Sequence, residues 1–197
     1  MYVIFGKRIL DLFLAIIILF FALPVLIFAA ILIFLTMGRP VSFSQTRPGR
    51  NKNPFVIFKL RTMHEKANSN DTDEQRITGL GKLIRKFSID ELPQIINVLR
   101  GNMSLVGPRP LLMEYNALFS EKQNKRFLVK PGITGLAQVN GRNELSWDEK
   151  LELDIFYVEN YSFLLDIKIL FKTIWVVLYS VGFRPSGEKE KFSGSNK

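Results

Sequence analysis

The chain has 197 residues, a formal net charge of +9, 47% hydrophobic residues and a mean hydropathy of +0.12. It has no cysteine and one histidine, His64, so disulfides, thiolate metal sites and a cysteine nucleophile are excluded, and carboxylates are left to hold a hard ion such as Mg²⁺. The positive charge suits an anionic membrane surface or a phosphorylated substrate, whereas nucleic acid is not expected because the basic residues are dispersed and form no recognition motif.

The first predicted element is a run without charged residues from Leu12 to Leu35, which is long enough for a membrane helix. Pro24 lies at its centre, where it removes a backbone hydrogen bond and predicts a bend. Basic residues flank both ends of the run, and positive flanks prefer the cytoplasm. We therefore expect residues 1–38 to form a re-entrant helical hairpin with its membrane bend at Pro24. A single kinked span is the alternative.

Residues 39–155 are more polar and predict a globular domain with a small β element. The segments 41–46 and 55–63 have the composition of strands and are separated by a turn rich in glycine and proline. A short basic helix is expected over 79–87, and Asn140-Gly141 is a common hairpin signal.

The last third of the chain predicts helices over 147–161 and 162–183. The second of these mixes aromatic residues with aspartate and lysine, which favours amphipathic helices lying in a membrane interface over 156–183. An ordinary core helix is the alternative. Residues 184–197 have nothing to bury and are expected to form a disordered tail.

Two adjacent acids, Asp90 and Glu91, stand in the stretch FSIDELPQ, directly before apolar residues at helical spacing. Ser88 and Glu91 have the spacing of a capping box, and acids in a first turn complement the positive end of a helix. Taken alone, this stretch therefore favours helix capping over chemistry.

Four stretches together resemble the bacterial sugar transferase family, in particular its small monotopic phosphoglycosyl transferases. They are KRILD before the proline-broken run, FKLRTM, SIDELPQIINVLRGNMSLVGPRP and KPGITGLAQVNGR. The resemblance covers Lys7 to about Phe183 and is greatest to the members that begin N-linked glycan assembly in some bacteria. It implies an α+β, mostly helical, monotopic membrane protein that moves a phosphosugar from a UDP-sugar to undecaprenyl phosphate and releases UMP.

The resemblance also implies roles for individual residues. Asp90 would be the catalytic nucleophile and Glu91 a catalytic ligand of Mg²⁺. Asp154 would support the site, although an exposed helix acid is its alternative. The expected substrate-binding residues, each of which has a solvated surface charge as its alternative, are Lys59, Arg61, Arg85, Arg109, Arg142 and Lys130.

Two other readings stay open at this point. The lipid phosphate would attack the UDP-sugar directly, with Asp90 as a metal ligand or base, or the chain would be a membrane-anchored scaffold without catalytic activity. The resemblance implies an N-acetylated or diacetamido sugar, with hexoses as the alternative. It also implies the bacterial inner membrane, with the catalytic domain on the cytoplasmic face in contact with membrane lipids. Downstream glycosyltransferases are further candidate partners.

Overall fold

A computed structural model describes residues 2–65, 72–185 and 191–194 and shows a mostly helical protein with two small sheets. The α+β, mainly helical class expected from the sequence is confirmed. The helices are α1 (Lys7–Met37), α2 (Asp73–Arg76), α3 (Gly79–Lys86), α4 (Ile95–Arg100), α5 (Glu121–Asn124), α6 (Leu136–Val139), α7 (Trp147–Asn160) and α8 (Phe163–Leu178). The strands are β1 (Ser42–Pro48), β2 (Pro54–Leu60), β3 (Ser104–Val106) and β4 (Gly132–Thr134).

Helix α1 contains the whole apolar run and continues through Pro24 without a break. The turns on either side of Pro24 supply the hydrogen bonds that carry the helix past the missing donor, and the re-entrant hairpin with its bend at Pro24 stays a prediction. Within the described residues, α1 is the one helix long and apolar enough to cross a membrane.

Both ends of α1 contact the same globular unit, which is consistent with monotopic anchoring. At its start, Arg8 donates to the carbonyl oxygen of Val98 at 2.6 Å, and at its end Arg61 donates to the carbonyl oxygen of Gly38 at 2.6 Å. A simple span would place these two ends on opposite sides of a hydrocarbon layer roughly 30 Å thick. The arrangement therefore favours a helix that meets the membrane from one side.

The strands of the first sheet form an antiparallel hairpin in which Ser42 pairs with Leu60 and Pro48 pairs with Pro54. The second sheet is a parallel pair of β3 and β4. The hairpin agrees with the sequence-based prediction, whereas the Asn140-Gly141 signal does not produce one. Asn140 instead ends the short helix α6, where its side chain donates to the carbonyl oxygen of Leu136.

Helices α7 and α8 close the domain over the start of α1. Asp166 on α8 is 1% exposed, and its carboxylate accepts hydrogen bonds from Lys7 at 2.6 Å, from Tyr157 at 2.7 Å and from Tyr2. The opposite face of α8 exposes large apolar side chains, including Trp175. This face has the composition expected of a helix that lies in a membrane interface.

Six residues of the expected tail are described, namely 184–185 and 191–194, and its other residues lie outside the described ranges. Phe192 is 4% exposed and packs against the rings of Tyr115, Phe119 and Trp147. The expectation that the tail has nothing to bury is therefore wrong at Phe192, because an aromatic cluster of the globular domain accepts this ring.

Candidate active site

Asp90 and Glu91 lie in a 3₁₀ segment, Ile89–Gln94, directly before α4. Ser88 precedes this segment with a φ of 54° and makes no capping hydrogen bond with its side chain. The capping box suggested by the spacing of Ser88 and Glu91 is therefore wrong. The segment packs against β2, and this contact brings the two acids to Lys59, the basic residue of that strand.

Glu91 is held by two cations. Its Oε1 accepts hydrogen bonds from Lys59 Nζ at 2.6 Å and from Arg109 Nη2 at 2.7 Å, and its Oε2 accepts one from Arg109 Nη1 at 3.3 Å. Burial of the Glu91 carboxylate would raise its pKa, but Arg109 and Lys59 outweigh burial and hold the pKa well below its usual range. Glu91 is therefore a fixed negative charge with both oxygens in use.

Asp90 has the opposite environment. It is 7% exposed, and within the described residues it makes no hydrogen bond and no ion pair. Burial, with the adjacent charge of Glu91, raises the pKa of Asp90 to about 6. The charges of Lys59, Arg85 and Arg109 oppose this rise in pKa, so the carboxylate is ionised at neutral pH, and no hydrogen bond among the described residues occupies its oxygens.

Two more of the expected arginines lie beside the dyad. Arg142 has a φ of 52°, and its Nη2 donates to Ser88 Oγ at 2.8 Å, while its Nη1 is buried without a hydrogen-bond partner among the described residues. Arg85 donates from Nε to Thr62 at 2.8 Å, and the charge of Asp90 opposes the lowering of its pKa by burial. The charges of Arg85 and Arg142 both interact with those of Asp90 and Glu91.

The structure separates two expected binding residues from the dyad. Arg61 donates to the carbonyl oxygens of Met37, Gly38 and Arg39 and so binds the end of α1. Lys130 lies near Arg8, and burial with this like charge lowers its pKa. In this structure neither side chain contacts Asp90 or Glu91, so their assignment to the phosphates or the uridine is not supported by position.

Sequence reasoning missed Arg47, which belongs to the site. Arg47 Nη2 donates to Gln45 Oε1 at 2.6 Å, and its Nε is buried without a hydrogen-bond partner among the described residues. Burial, followed by the charge of Arg109, lowers the pKa of Arg47 to about 10, while Glu91 opposes this shift. The signal in the sequence was its position beside the glycine turn of the hairpin. A basic residue at such a turn is easily interpreted as a solvated surface charge.

Asp154 is close to the site but does not face the dyad. It is 4% exposed and forms a buried ion pair with Arg126 at 2.8 Å, and Arg126 in turn donates to the carbonyl oxygen of Arg109 at 2.7 Å. The position of Asp154 agrees with the supporting role implied by the resemblance. Arg126 was also missed, because only the folded chain brings it to these two partners.

The carboxylates of the dyad suit a metal ion that is shared with the substrate. Within the part of the chain that the structure describes, no group of three or more His, Cys, Asp or Glu side chains is placed to hold a metal. Mg²⁺ is commonly bound by one or two carboxylates together with substrate phosphates and water. Asp90 and Glu91 can provide such a partial set, so the donors fit Mg²⁺ shared with a substrate and do not fit an all-protein cage.

Residues 2–180 match the family model described as bacterial sugar transferase. The chain is 50% identical over 194 residues to the uncharacterized sugar transferase EpsL of Bacillus subtilis, with 96% of both chains covered. It is 40% identical over 182 residues to the UDP-glucose:undecaprenyl-phosphate glucose-1-phosphate transferase of Caulobacter vibrioides, covering 85% of this chain and 68% of that one.

A third relative is longer. The undecaprenyl-phosphate galactose phosphotransferase of Salmonella typhimurium is 37% identical over 194 residues, which cover 88% of this chain and 40% of that enzyme. The range matched by the family model, residues 2–180, includes the positions of both acids of the dyad and of the cations that face them. By this match and these identities, the chain belongs to the bacterial sugar transferase family.

Proposed function

We propose that this protein transfers a phosphosugar from a UDP-sugar to undecaprenyl phosphate, with release of UMP, through a covalent phosphosugar intermediate on Asp90. The names of the Caulobacter and Salmonella relatives support the acceptor and the type of reaction. The observation that carries the proposal is the contrast within the dyad. Glu91 is bound by two cations, whereas Asp90 is buried, ionisable near neutral pH and unpartnered within the described residues.

The charge of the site fits a diphosphate substrate. Five cations surround the two carboxylates of the dyad: Lys59, Arg85, Arg109, Arg142 and Arg47. A carboxylate that approaches a diphosphate meets like charge, so the phosphates must be neutralised before attack. Guanidinium groups suit this task because they bind phosphate oxygens in a bidentate fork.

The proposed reaction has two steps. An oxygen of the Asp90 carboxylate attacks the phosphorus that bears the sugar, the bond from that phosphorus to the bridging oxygen breaks, and UMP leaves with the bonding electrons. The phosphate oxygen of undecaprenyl phosphate then attacks the same phosphorus. This second attack releases Asp90 as a carboxylate and forms undecaprenyl diphosphate sugar.

Mg²⁺ is part of the proposal, with Glu91 as its protein ligand. When bound, the ion would neutralise charge on the diphosphate. EDTA should therefore abolish turnover and added Mg²⁺ should restore it. Full turnover in the presence of the chelator would contradict the metal assignment.

The proposed location is the inner membrane, with the catalytic domain on the cytoplasmic face. The apolar surface of α1 and the contacts at both of its ends support an approach from one side of the membrane. The proposed donor sugar is an N-acetylated or diacetamido hexose. The names of relatives include glucose, galactose and N-acetylgalactosamine, so the donor must be found by experiment.

The decisive experiment omits the acceptor. Purified protein is incubated with Mg²⁺ and each of a panel of UDP-sugars, first with undecaprenyl phosphate to find the donor and then without it. A covalent mechanism predicts UMP release up to about one equivalent per active site and a gain of one phosphosugar in protein mass. Asp90→Asn is the matched control and should show neither.

The outcomes separate the candidate reactions. Turnover that requires the acceptor, with no UMP burst and no mass gain in its absence, would favour direct attack by the lipid phosphate. An absence of UMP release with every donor in the presence of undecaprenyl phosphate would contradict the transferase proposal itself.

A further inference from the structure

The turn of residues 108–110 presents Arg109 to Glu91, and a buried arginine, Arg126, binds the backbone of this turn. Arg126 is 3% exposed and lies in the 3₁₀ segment Lys125–Leu128. Its Nη2 donates to the carbonyl oxygen of Arg109 at 2.7 Å and to Asp154 Oδ2 at 2.8 Å, and its Nε donates to the same carboxylate oxygen at 3.2 Å. One guanidinium group therefore joins the backbone of Arg109 to helix α7.

The sequence of the turn explains why this contact matters. Pro108 and Pro110 have no N–H group, so the turn has few donors of its own with which to fix its carbonyl groups. The side chain of Arg109 leaves the same residue and reaches Glu91 at 2.7 and 3.3 Å. A rotation of the Arg109 peptide would move the base of that side chain and change its approach to Glu91.

We infer that Arg126 is a positioning residue for Arg109, with Asp154 as the counter-ion that fixes the guanidinium group of Arg126. This inference rests on the proposed function, because it assigns to Arg126 an effect on that same site. Arg126 touches neither acid of the dyad in the structure and acts through the backbone of Arg109. The guanidinium group of Arg126 also packs against the rings of Phe119 and Phe127. The ring centroids lie 5.4 and 5.3 Å from the guanidinium carbon.

The geometry requires an arginine and not only a positive charge. A planar guanidinium group can donate to a carboxylate and to a carbonyl oxygen in fixed directions, whereas a lysine ammonium is a single point charge on a flexible stem. Arg126→Lys therefore keeps the charge opposite Asp154 and loses the joint contact to Arg109. Asp154→Asn is the complementary variant, because it keeps the shape of the acid and removes the charge that holds Arg126.

The chain offers a matched control one residue away. Lys125 pairs with Glu159 at 2.7 Å and so joins the same segment to the same helix, but both side chains are 48% exposed. Exposed pairs of this kind contribute little to stability. Lys125→Met should therefore leave kcat/KM within about twofold of the parent.

The test is a double-mutant cycle of Arg126→Lys with Arg109→Ala, in the full-length protein with the UDP-sugar that supports turnover. If Arg126 acts through Arg109, Arg126→Lys should lower kcat/KM by about 10- to 100-fold in the parent, since small displacements of a positioning group have effects of this size. In the Arg109→Ala background the same change should have less than about a twofold effect. Where turnover of Arg109→Ala is too slow, the affinity for UDP, measured by calorimetry, replaces kcat/KM in the same cycle.

Each result decides between explanations. An equal loss in both backgrounds, or a parent-like Arg126→Lys, would overturn the inference and leave the proposed function intact. If Arg109→Ala itself retains parent activity, the proposed role of Arg109 in the site fails instead. If Arg126→Lys does not fold, Asp154→Asn takes its place in the cycle, with the same expected loss of additivity.

Discussion

Asp90 and Asp166 are both buried aspartates, but the protein treats their charges in opposite ways. Asp166 is 1% exposed and accepts hydrogen bonds from Lys7, Tyr157 and Tyr2, which tie the start of α1 to α7 and α8. Asp90 is 7% exposed and has no such partner within the described residues. A buried carboxylate with hydrogen-bond partners holds elements together. A buried carboxylate without them is free to react, but it lowers the free energy of unfolding.

The largest expected difference between the two aspartates is in turnover. Asp90→Asn should lower turnover by at least about 1,000-fold, because a neutral amide cannot attack phosphorus. Asp166→Asn should retain turnover within about tenfold when assayed well below its unfolding temperature, because Asp166 contacts no part of the dyad. Initial rates of UMP release measure both. A nearly active Asp90→Asn would remove the basis of the comparison.

The second difference is in the free energy of unfolding. Asp166→Asn should lower it by about 3 to 5 kcal/mol, because it leaves the buried ammonium group of Lys7 without its counter-ion. Thermal or denaturant unfolding in a fixed detergent measures the change. Lys7→Met combined with Asp166→Asn provides the control, since the double variant removes both members of the ion pair and should lose less than the sum of the two single changes.

The third difference is in the pH dependence of activity. The pKa of Asp90 is raised from 3.8 to about 6, so the reactive carboxylate is lost as the pH falls through 6. Below that point kcat/KM should fall about tenfold per pH unit. Glu91 stays ionised over this range because its pKa is held well below the usual value. A profile that is flat down to pH 4.5 would contradict the raised pKa.

The smallest expected effect is a gain in stability in the variant that loses activity. Because the pKa of Asp90 is raised on folding from 3.8 to about 6, folding favours the protonated acid, and this contribution is lost as the pH rises through 6. Asp90→Asn does not titrate and should therefore be more stable than the parent at pH 8, by up to about 3 kcal/mol, with little difference at pH 4. Paired unfolding curves at the two pH values measure this. Equal stability at both would show that burial does not strain the Asp90 charge.

Local patterns in the sequence were sufficient for much of the fold. Alternation and turn residues predicted the hairpin of β1 and β2, and helical spacing predicted α3, α4 and α7 within a few residues. The capping box failed because Ser88 takes a left-handed conformation and Pro93 keeps the dyad in a 3₁₀ segment. Pro24 did not break α1, because neighbouring turns can satisfy the backbone around a helical proline.

The site was predicted in part, for a physical reason. Lys59 and Arg61 are two residues apart, so alternation puts them on one face of a strand. Lys59 binds Glu91 and Arg61 binds the end of α1. The spacing of residues in the motif does not show where α1 ends, so it could not predict this difference. Arg47 and Arg126 were missed for the same reason, since each also donates to the backbone of the distant Arg109–Pro110 turn, Arg47 to Pro110 and Arg126 to Arg109.

The binding of the end of α1 by Arg61 fixes the distance between that helix end and the dyad. Arg61 satisfies the last carbonyl oxygens of the apolar helix, and Lys59, in the adjoining strand, binds Glu91 at 2.6 Å. Two residues of extended chain measure roughly 7 Å. The hairpin therefore fixes a short distance between the end of the apolar helix and the dyad. Under the proposed function, the position of the end of α1 would therefore set the depth at which the phosphate of the lipid acceptor reaches the two acids.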